Sequence, residues 1–260
     1  MAVRSSKSEH PPQVAGGVRF GAMLVGDSSL RRSSAPYLLD GLTEEEVAEV
    51  LAAGRRLVVQ RGARVFSQGA LQDGIYLIET GRIKVFYTAP TGRQITLAYW
   101  HPGNFVGGPE IFRRGVHMWS GSAAANSAVI HLPGNALQRM VAAIPALAMR
   151  VMEGLIFKGK CYSALAQMLG TRSAQERLAY LLLHLADLYG VEEQGGTMIA
   201  ATFTHADLAH MTGVTRQGVS TGIRQLGERG VIDIRDGRIV VLQPDALAAL
   251  RAGSAVKTDP

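Results

Sequence analysis

Cysteine is nearly absent: Cys161 is the single one in 260 residues. One thiol excludes a disulfide framework, a four-thiolate iron-sulfur cluster and a zinc finger built within one chain. It fits a reducing compartment, so the expected location is the cytoplasm. Long apolar runs are missing as well. None approaches the roughly 18 residues of a membrane span, and the first thirty-odd residues, with Arg4, Lys7, Pro11 and Pro12 among many Ser and Gly, lack the apolar stretch of a signal peptide. No membrane partner is expected. The chain also lacks a His-x-His pair, a Ser-His-Asp arrangement, a phosphate-cradling Gly loop and a GxGxxG fingerprint, so it reads as a binder and not as an enzyme.

What is present is 47% hydrophobic residues, enough to build a core in each of two modest domains. The formal net charge is +6 and the isoelectric point about 9.7, which favours a polyanionic partner. Leu42, Val47, Val50 and Leu51 suit a short amphipathic helix over 42–53, started by Thr43 and Glu46. Beyond it the period becomes two. Segments 75–78, 82–87, 94–99 and 128–132 alternate or run apolar between Gly69, Gly74, Gly81, Gly92, Gly103 and Gly107, the rhythm of an antiparallel roll of short strands.

After Pro133 the helical period returns and holds over about 146–169. Ala148, Met152, Leu155, Gly159, Tyr162, Ala166 and Leu169 recur in alternating steps of four and three, a heptad seam that implies a parallel partner helix, most simply in a homodimer. The plain alternative is a long helix lying on its own sheet. Gly170, Thr171 and Arg172 should break this helix, and Ser173 with Glu176 has the form of a capping box that starts another. Leu178, Leu181, Leu182 and Leu185 carry that helix to a stop near Gly190, and Gly195-Gly196 reads as a loop.

Thr204 and Asp207 form a second capping box, Gly213 makes a turn and Thr215 caps the helix that follows, which is the helix-turn-helix plan. Val219, Ile223 and Leu226 then face the core, and Arg216, Gln217, Ser220, Thr221 and Arg224 face outward. Solvation alone would give such a face. These residue types at a helix start, however, are those that reach into a major groove, Arg pairing with guanine and Gln with adenine. Asp236-Gly237 between the β-rich runs 232–235 and 238–242 signals a hairpin, read as a wing beside the recognition helix.

The order β-roll, long helix, hinge, winged helix-turn-helix resembles the cyclic-AMP receptor protein and FNR (CRP/FNR) family of bacterial transcription regulators over roughly residues 37–245. The resemblance rests on the run Gly74-Ile75-Tyr76-Leu77-Ile78-Glu79-Thr80-Gly81-Arg82-Ile83-Lys84-Val85, on Thr204-His205-Ala206-Asp207-Leu208-Ala209 and on Gly213-Val214-Thr215-Arg216-Gln217-Gly218-Val219-Ser220. The expected class is α+β: an N-terminal antiparallel β-roll like a cyclic-nucleotide-binding jelly roll, a long dimerisation helix and a C-terminal winged helix-turn-helix. The expected bounds are 1–36 for a disordered arm, 37–145 for the sensor roll, 146–170 for the dimerisation helix, 171–252 for the DNA-binding domain and 253–260 for a disordered tail.

The resemblance implies a homodimer on double-stranded operator DNA, and RNA polymerase as a partner if the protein activates. It places Arg216, Gln217, Ser220 and Thr221 at bases and Thr204 and Thr215 at phosphates, with Arg224 on the same face. Many relatives carry Arg where this chain has Thr221, so a half-site different from theirs is expected. Nucleotide-binding members hold a Glu for the ribose and an Arg-Ser pair for the cyclic phosphate where this chain has Gly108, Met118 and Trp119. An anion buried without its cation is strongly disfavoured, so the effector is expected not to be cyclic AMP. Arg113 or Arg114 could substitute but read as solvated.

Two readings of the sensor stay open. In one, Trp119, Met118 and Tyr162 form an apolar pocket, with Gly108, for a small organic effector. In the other, His117 ligates haem, as in gas-sensing relatives, although a loop histidine is usually a surface residue. A constitutive regulator without effector is a third option. His101 and His131 read as loop and strand residues, and Cys161 as packing beside the seam with a redox role as the alternative. From another class, a Gly-punctuated roll could be a cupin-type metal enzyme, but His101, Glu110, His117 and His131 are too dispersed for a ligand set. No metal or obligatory cofactor is expected.

Overall fold

The computed structural model describes residues 35–112 and 114–251. Of the expected arm only Ala35 and Pro36 fall among them; the expected tail lies outside. Helix α1 (Glu44–Ala52) begins at a complete capping box between Thr43 and Glu46. Ten strands follow: β1 (Arg55–Val59), β2 (Arg64–Phe66), β3 (Leu71–Gln72), β4 (Ile75–Thr80), β5 (Ile83–Thr88), β6 (Gln94–Trp100), β7 (Phe105–Gly107), β8 (Gly115–Val116), β9 (Ser120–Ala123) and β10 (Ser127–Leu132). They form antiparallel sheets of order β1-β10-β4-β7 and β2-β9-β5-β6 and a ribbon β3-β8. The two four-stranded sheets share one core, with Ile78, Val106 and Val129 from the first meeting Phe66, Ile83, Val85, Ala98 and Trp100 from the second. Each of the Val, Ile and Phe side chains among them contributes about 1.5–3 kcal/mol on burial.

Helix α2 (Gly134–Ala143) leads into α3 (Pro145–Thr171), which runs 27 residues. The expected break at Gly170 and Thr171 falls later: both are helical, and only Arg172 and Ser173 separate α3 from α4 (Ala174–Tyr189). Gly170 has an ordinary helical backbone, so its only effect there is the loss of a side chain. The Ser173–Glu176 capping box is present on both sides.

Helix α3 carries two apolar stripes. Leu147, Val151, Gly154, Phe157, Cys161, Leu165 and Met168 are buried against the same chain, and a Cβ on Gly154 would lie 2.5 Å from the Phe105 ring. That missing Cβ lets the helix lie close on the roll. The second stripe holds the expected seam. Met152 and Leu155 are exposed, together with Met149 and Ile156 beside them, while Tyr162 turns partly inward. The helix therefore lies on its own sheet and still presents an uncovered apolar face.

The C-terminal part contains β11 (Gly190–Glu193), β12 (Gly196–Ile199), α5 (His205–Thr212), α6 (Arg216–Glu228), β13 (Ile232–Arg235), β14 (Arg238–Val241) and α7 (Pro244–Arg251). The Gly195-Gly196 segment is the turn of a hairpin that joins the wing in a sheet of order β11-β12-β14-β13. The wing turn is Asp236-Gly237, both at positive φ, with Arg235 paired to Arg238 across it. Tyr99 of β6 is buried in the core of this C-terminal part, among Leu178, Leu181, Leu208 and Met211.

Candidate DNA-binding surface and sensor wall

The recognition surface is set by what α6 buries. Val219, Ile223 and Leu226 are in the core, which turns Arg216, Gln217 and Arg224 to solvent and leaves Ser220 and Thr221 half-buried. Gly213 ends α5 in the left-handed conformation, and a Cβ there would also lie 2.8 Å from Leu169 at the end of α3. Glycine meets both demands. Thr215 caps α6 by accepting from the Gly218 amide over 3.0 Å, and no acidic residue lies in the first turn of α6. Arg216 and Gln217 thus sit at a helix end whose dipole favours an anion.

The side chains differ in their freedom. The Ser220 hydroxyl donates to the Arg216 carbonyl over 3.0 Å and lies 2.8 Å from His205 Nδ1, which leaves the imidazole N–H to donate to it. Ser220 is therefore held by the first helix of the motif, a link that helical spacing alone does not reveal. The Thr204 hydroxyl caps α5 and donates to Asp207 over 2.7 Å. Arg224 has only a loose, exposed contact with Glu228 at 3.8 Å, worth little in stability. Gly222 packs against α4: a Cβ there would lie 2.6 Å from Leu178 Cδ2. Beside it a groove of about 420 Å³ separates the start of α4 from α6, lined by Gln175, Thr215, Gln217, Thr221 and Gln225. Gln225 and the wing arginines Arg235 and Arg238 extend the polar face; sequence reasoning did not single them out, although their position beside Arg224 and the Asp-Gly turn was a usable signal.

In the roll the expected effector residues divide. The Trp119 indole N–H donates to the Gly107 carbonyl over 2.8 Å, and its ring meets that of Tyr162 at 5.7 Å between centroids. Those two and the Gly107-Gly108 loop come together. Met118 does not join them in a pocket wall: it is 58% exposed. His117 is not a surface residue either. It is buried, stacked on Phe66 at 4.4 Å, and burial holds its pKa below the usual histidine value, with His131 adding to the shift. Strand pairing explains this, because neighbouring backbone bonds of His117 and Ala70 turn the ring inward. A ring held in that aromatic stack would have to turn out of it to ligate haem, so the haem reading does not fit. Arg113 lies outside the described residues, and Arg114 is exposed. His131 in β10 bonds the Asp73 carbonyl at 2.6 Å.

Gln72 and Lys158 are buried residues that sequence reasoning did not place inside. Gln72 is fully buried, with neither amide atom hydrogen-bonded. Lys158 of α3 is buried with its ammonium 4.3 Å from the Trp100 ring centroid and 3.7 Å from that of Phe105, and burial pushes its pKa down to about 7. Nearby, Cys161 is wholly buried and burial pushes its thiol up to about 12. Such a thiol lacks the thiolate character that redox chemistry needs.

The family model for a cyclic nucleotide-binding domain matches residues 56–143, and that for a Crp-like helix-turn-helix domain matches residues 176–250. The chain belongs to the CRP/FNR family. As a member of that family it is a DNA-binding transcription regulator with a nucleotide-binding-like sensing domain, not an enzyme. It is 24% identical over 212 residues to the CRP-like cAMP-activated global transcriptional regulator of Mycobacterium tuberculosis, spanning 81% of this chain and 94% of that one. It is 26% identical over 218 residues to the cyclic AMP receptor protein of Thermus thermophilus, spanning 84% and 98%. Among solved structures, a mutant of CooA from Carboxydothermus hydrogenoformans shares the fold with a TM-score of 0.65 at 22% identity, over 84% of this chain and 96% of that one. Among the described residues, no helix of this CRP/FNR-family chain is long and apolar enough to cross a membrane.

Proposed function

We propose that this regulator binds operator DNA as a homodimer, reads bases with the start of α6 and is controlled by a small molecule other than cyclic AMP held in the roll. The observation that carries the reading is the outward pair Arg216 and Gln217 at the N-terminal end of α6, backed by a buried stripe that fixes which way they point. Ser220 and Thr221 lie one turn on, and Thr204 and Thr215 stand at the two helix starts, where phosphate oxygens are favoured. Arg235 and Arg238 of the wing supply further phosphate contacts.

The occupant of the uncovered α3 face is a second copy of the chain. Met149, Met152, Leu155 and Ile156 form a contiguous exposed stripe with heptad spacing, which suits an identical helix about a two-fold axis. A dimer then presents two recognition helices to successive major grooves. If the regulator activates, RNA polymerase is the further partner. Against cyclic AMP stand Gly108, Met118 and Trp119, which offer no cation to a cyclic phosphate, and an indole bonded to the Gly107 carbonyl. Tyr162 joins that indole to α3, so a ligand displacing Trp119 would act directly on the dimer helix.

The reading is tested by selecting duplexes from a random library at low salt and measuring mass in solution beside affinity. A dimer that selects a two-fold site, and a Leu155→Glu variant that is monomeric and binds that site at least tenfold more weakly, are expected. A monomeric parent protein indifferent to every duplex overturns it.

A further inference from the structure

The ribbon β3-β8 has two unlike faces. Leu71 and Val116, paired across it, are 83% and 54% exposed. Gln72, paired with Gly115, points the other way and is completely buried, and His117 follows Gly115 on that same inner side. Alternation along a strand dictates this division. The inner face therefore carries two polar side chains where a roll ordinarily places apolar ones.

Neither is satisfied. Gln72 Nε2 and Oε1 and His117 Nδ1 are buried atoms without hydrogen-bond partners. A buried carboxamide with both ends unbonded is strongly disfavoured unless something else supplies a donor and an acceptor. The position is also sculpted to hold it. A Cβ on Gly108 would lie 1.8 Å from Gln72 Oε1 and 2.5 Å from its Cδ, so the amide occupies the volume that any side chain at position 108 would need. Gly108 and Gln72 are thus complementary: the glycine is required because the glutamine is there.

We propose that Gln72 is the specificity-determining residue of the effector site, and that it selects a neutral ligand bearing a paired donor and acceptor, such as a primary carboxamide or a lactam edge. A carboxamide matches that edge with two antiparallel hydrogen bonds. A carboxylate would meet one repelling oxygen and would be buried with no cation at Gly108, Met118 or Trp119. This inference rests on the roll being the effector-binding domain, and it adds the chemical class.

The test melts the full-length protein and its Gln72→Leu and Gln72→Glu variants, alone and with matched probes: nicotinamide against nicotinate, benzamide against benzoate, and 2-pyrrolidone as the lactam. Without ligand, Gln72→Leu should melt higher than the parent, because an amide kept for binding and not for folding is a standing cost. Among the probes, at least one amide or lactam should raise the parent's melting temperature by roughly 2 °C or more, its acid counterpart should not, and the shift should vanish in both variants. A Gln72→Leu protein that melts lower than the parent overturns the assignment by showing that the amide is structural. Acids that shift parent and variant alike also overturn it while leaving the roll as an effector site. If neither class shifts the parent and operator binding is intact, the effector reading fails along with it.

Discussion

The guanidinium of Arg82, just ahead of β5, donates to the hydroxyl of Tyr189 at the end of α4 over 3.0 Å, tying the roll to the DNA-binding part across 107 positions of sequence. The contact is not isolated. Arg82 also lies over the Tyr99 ring at 5.2 Å, Lys84 Nζ is 3.5 Å from His210 Nδ1, and Arg93 donates to the carbonyl of Gly213, the turn of the helix-turn-helix. The β5-β6 pair of the sensor thus grips the first helix and the turn of the reading head. Any ligand that shifts the roll has a physical route to α6.

Tyr189→Phe should loosen that grip. It removes the partner of a half-buried guanidinium, and hydrogen bonds to charged groups are worth about 1.5–3 kcal/mol. The expected outcome is a loss of about that size in chemical denaturation. Calorimetry should show the single transition broadening toward two as the domains uncouple. An unchanged single transition would show that the contact carries no coupling.

Arg216→Ala should relax sequence preference without unfolding the protein, because Arg216 is exposed and its backbone carbonyl, not its side chain, receives Ser220. Loss of one bidentate base contact is worth about 1–3 kcal/mol at one base pair. Affinity for the selected operator should therefore fall at least several-fold, with discrimination lost at one position of each half-site. Uniform weakening across all sequences would reassign Arg216 to phosphate.

Much of this arrangement is legible in the sequence, and the rest is hidden for definite reasons. Helices α1, α4, α5 and α6 announce themselves because each starts at a side-chain cap, and α6 also buries the single stripe Val219, Ile223 and Leu226. Strands β4, β5, β6 and β10 are long enough to show their period. β3 and β8 have two residues each, too few for any period, so the inward turn of Gln72 and His117 cannot be seen before the ribbon is paired. Gln72 stands two residues before Gly74, outside every segment whose period can be read. Lys158 is hidden differently: the heptad seam draws the eye to the outer stripe of α3, while the lysine belongs to the inner one. The hairpin β11-β12 is masked because all four residues of its first strand are exposed.

His101 should make the protein sensitive to acid. Burial, aided by Arg82, pulls its pKa down to about 4 from an ordinary 6.5. The folded state therefore resists protonation that the unfolded state accepts. Stability from this group is present above pH 6.5 and is lost as pH falls from there through about 4. The shift corresponds to a full loss on the order of 3 kcal/mol, and His117 and His210, both also lowered, push the same way. Denaturation midpoints measured from pH 7 to pH 4.5 should fall steadily, and His101→Gln should flatten the decline. A parallel decline in the variant would move the effect to other groups.

Lys158→Met should stabilise the protein most at mildly acidic pH. An ordinary lysine ionises near 10.5, and burial brings this one down to about 7, so between those values the unfolded chain holds a proton that the folded chain has released. Stability attributable to Lys158 rises with pH across that window, and below about pH 7 the buried ammonium exerts its whole penalty, on the order of 5 kcal/mol before the two ring faces return part of it. Methionine keeps the unbranched shape and removes the charge. The variant should exceed the parent by about 2 kcal/mol or more at pH 6, and the gap should narrow by pH 9. Cys161, whose thiol is raised by the same burial, is present in both proteins: its contribution fades in each as pH climbs from the unfolded toward the folded thiol value, so its own slope cancels in the gap. A gap that stays constant from pH 6 to pH 9 would mean that Lys158 keeps its proton throughout, held by Trp100 and Phe105.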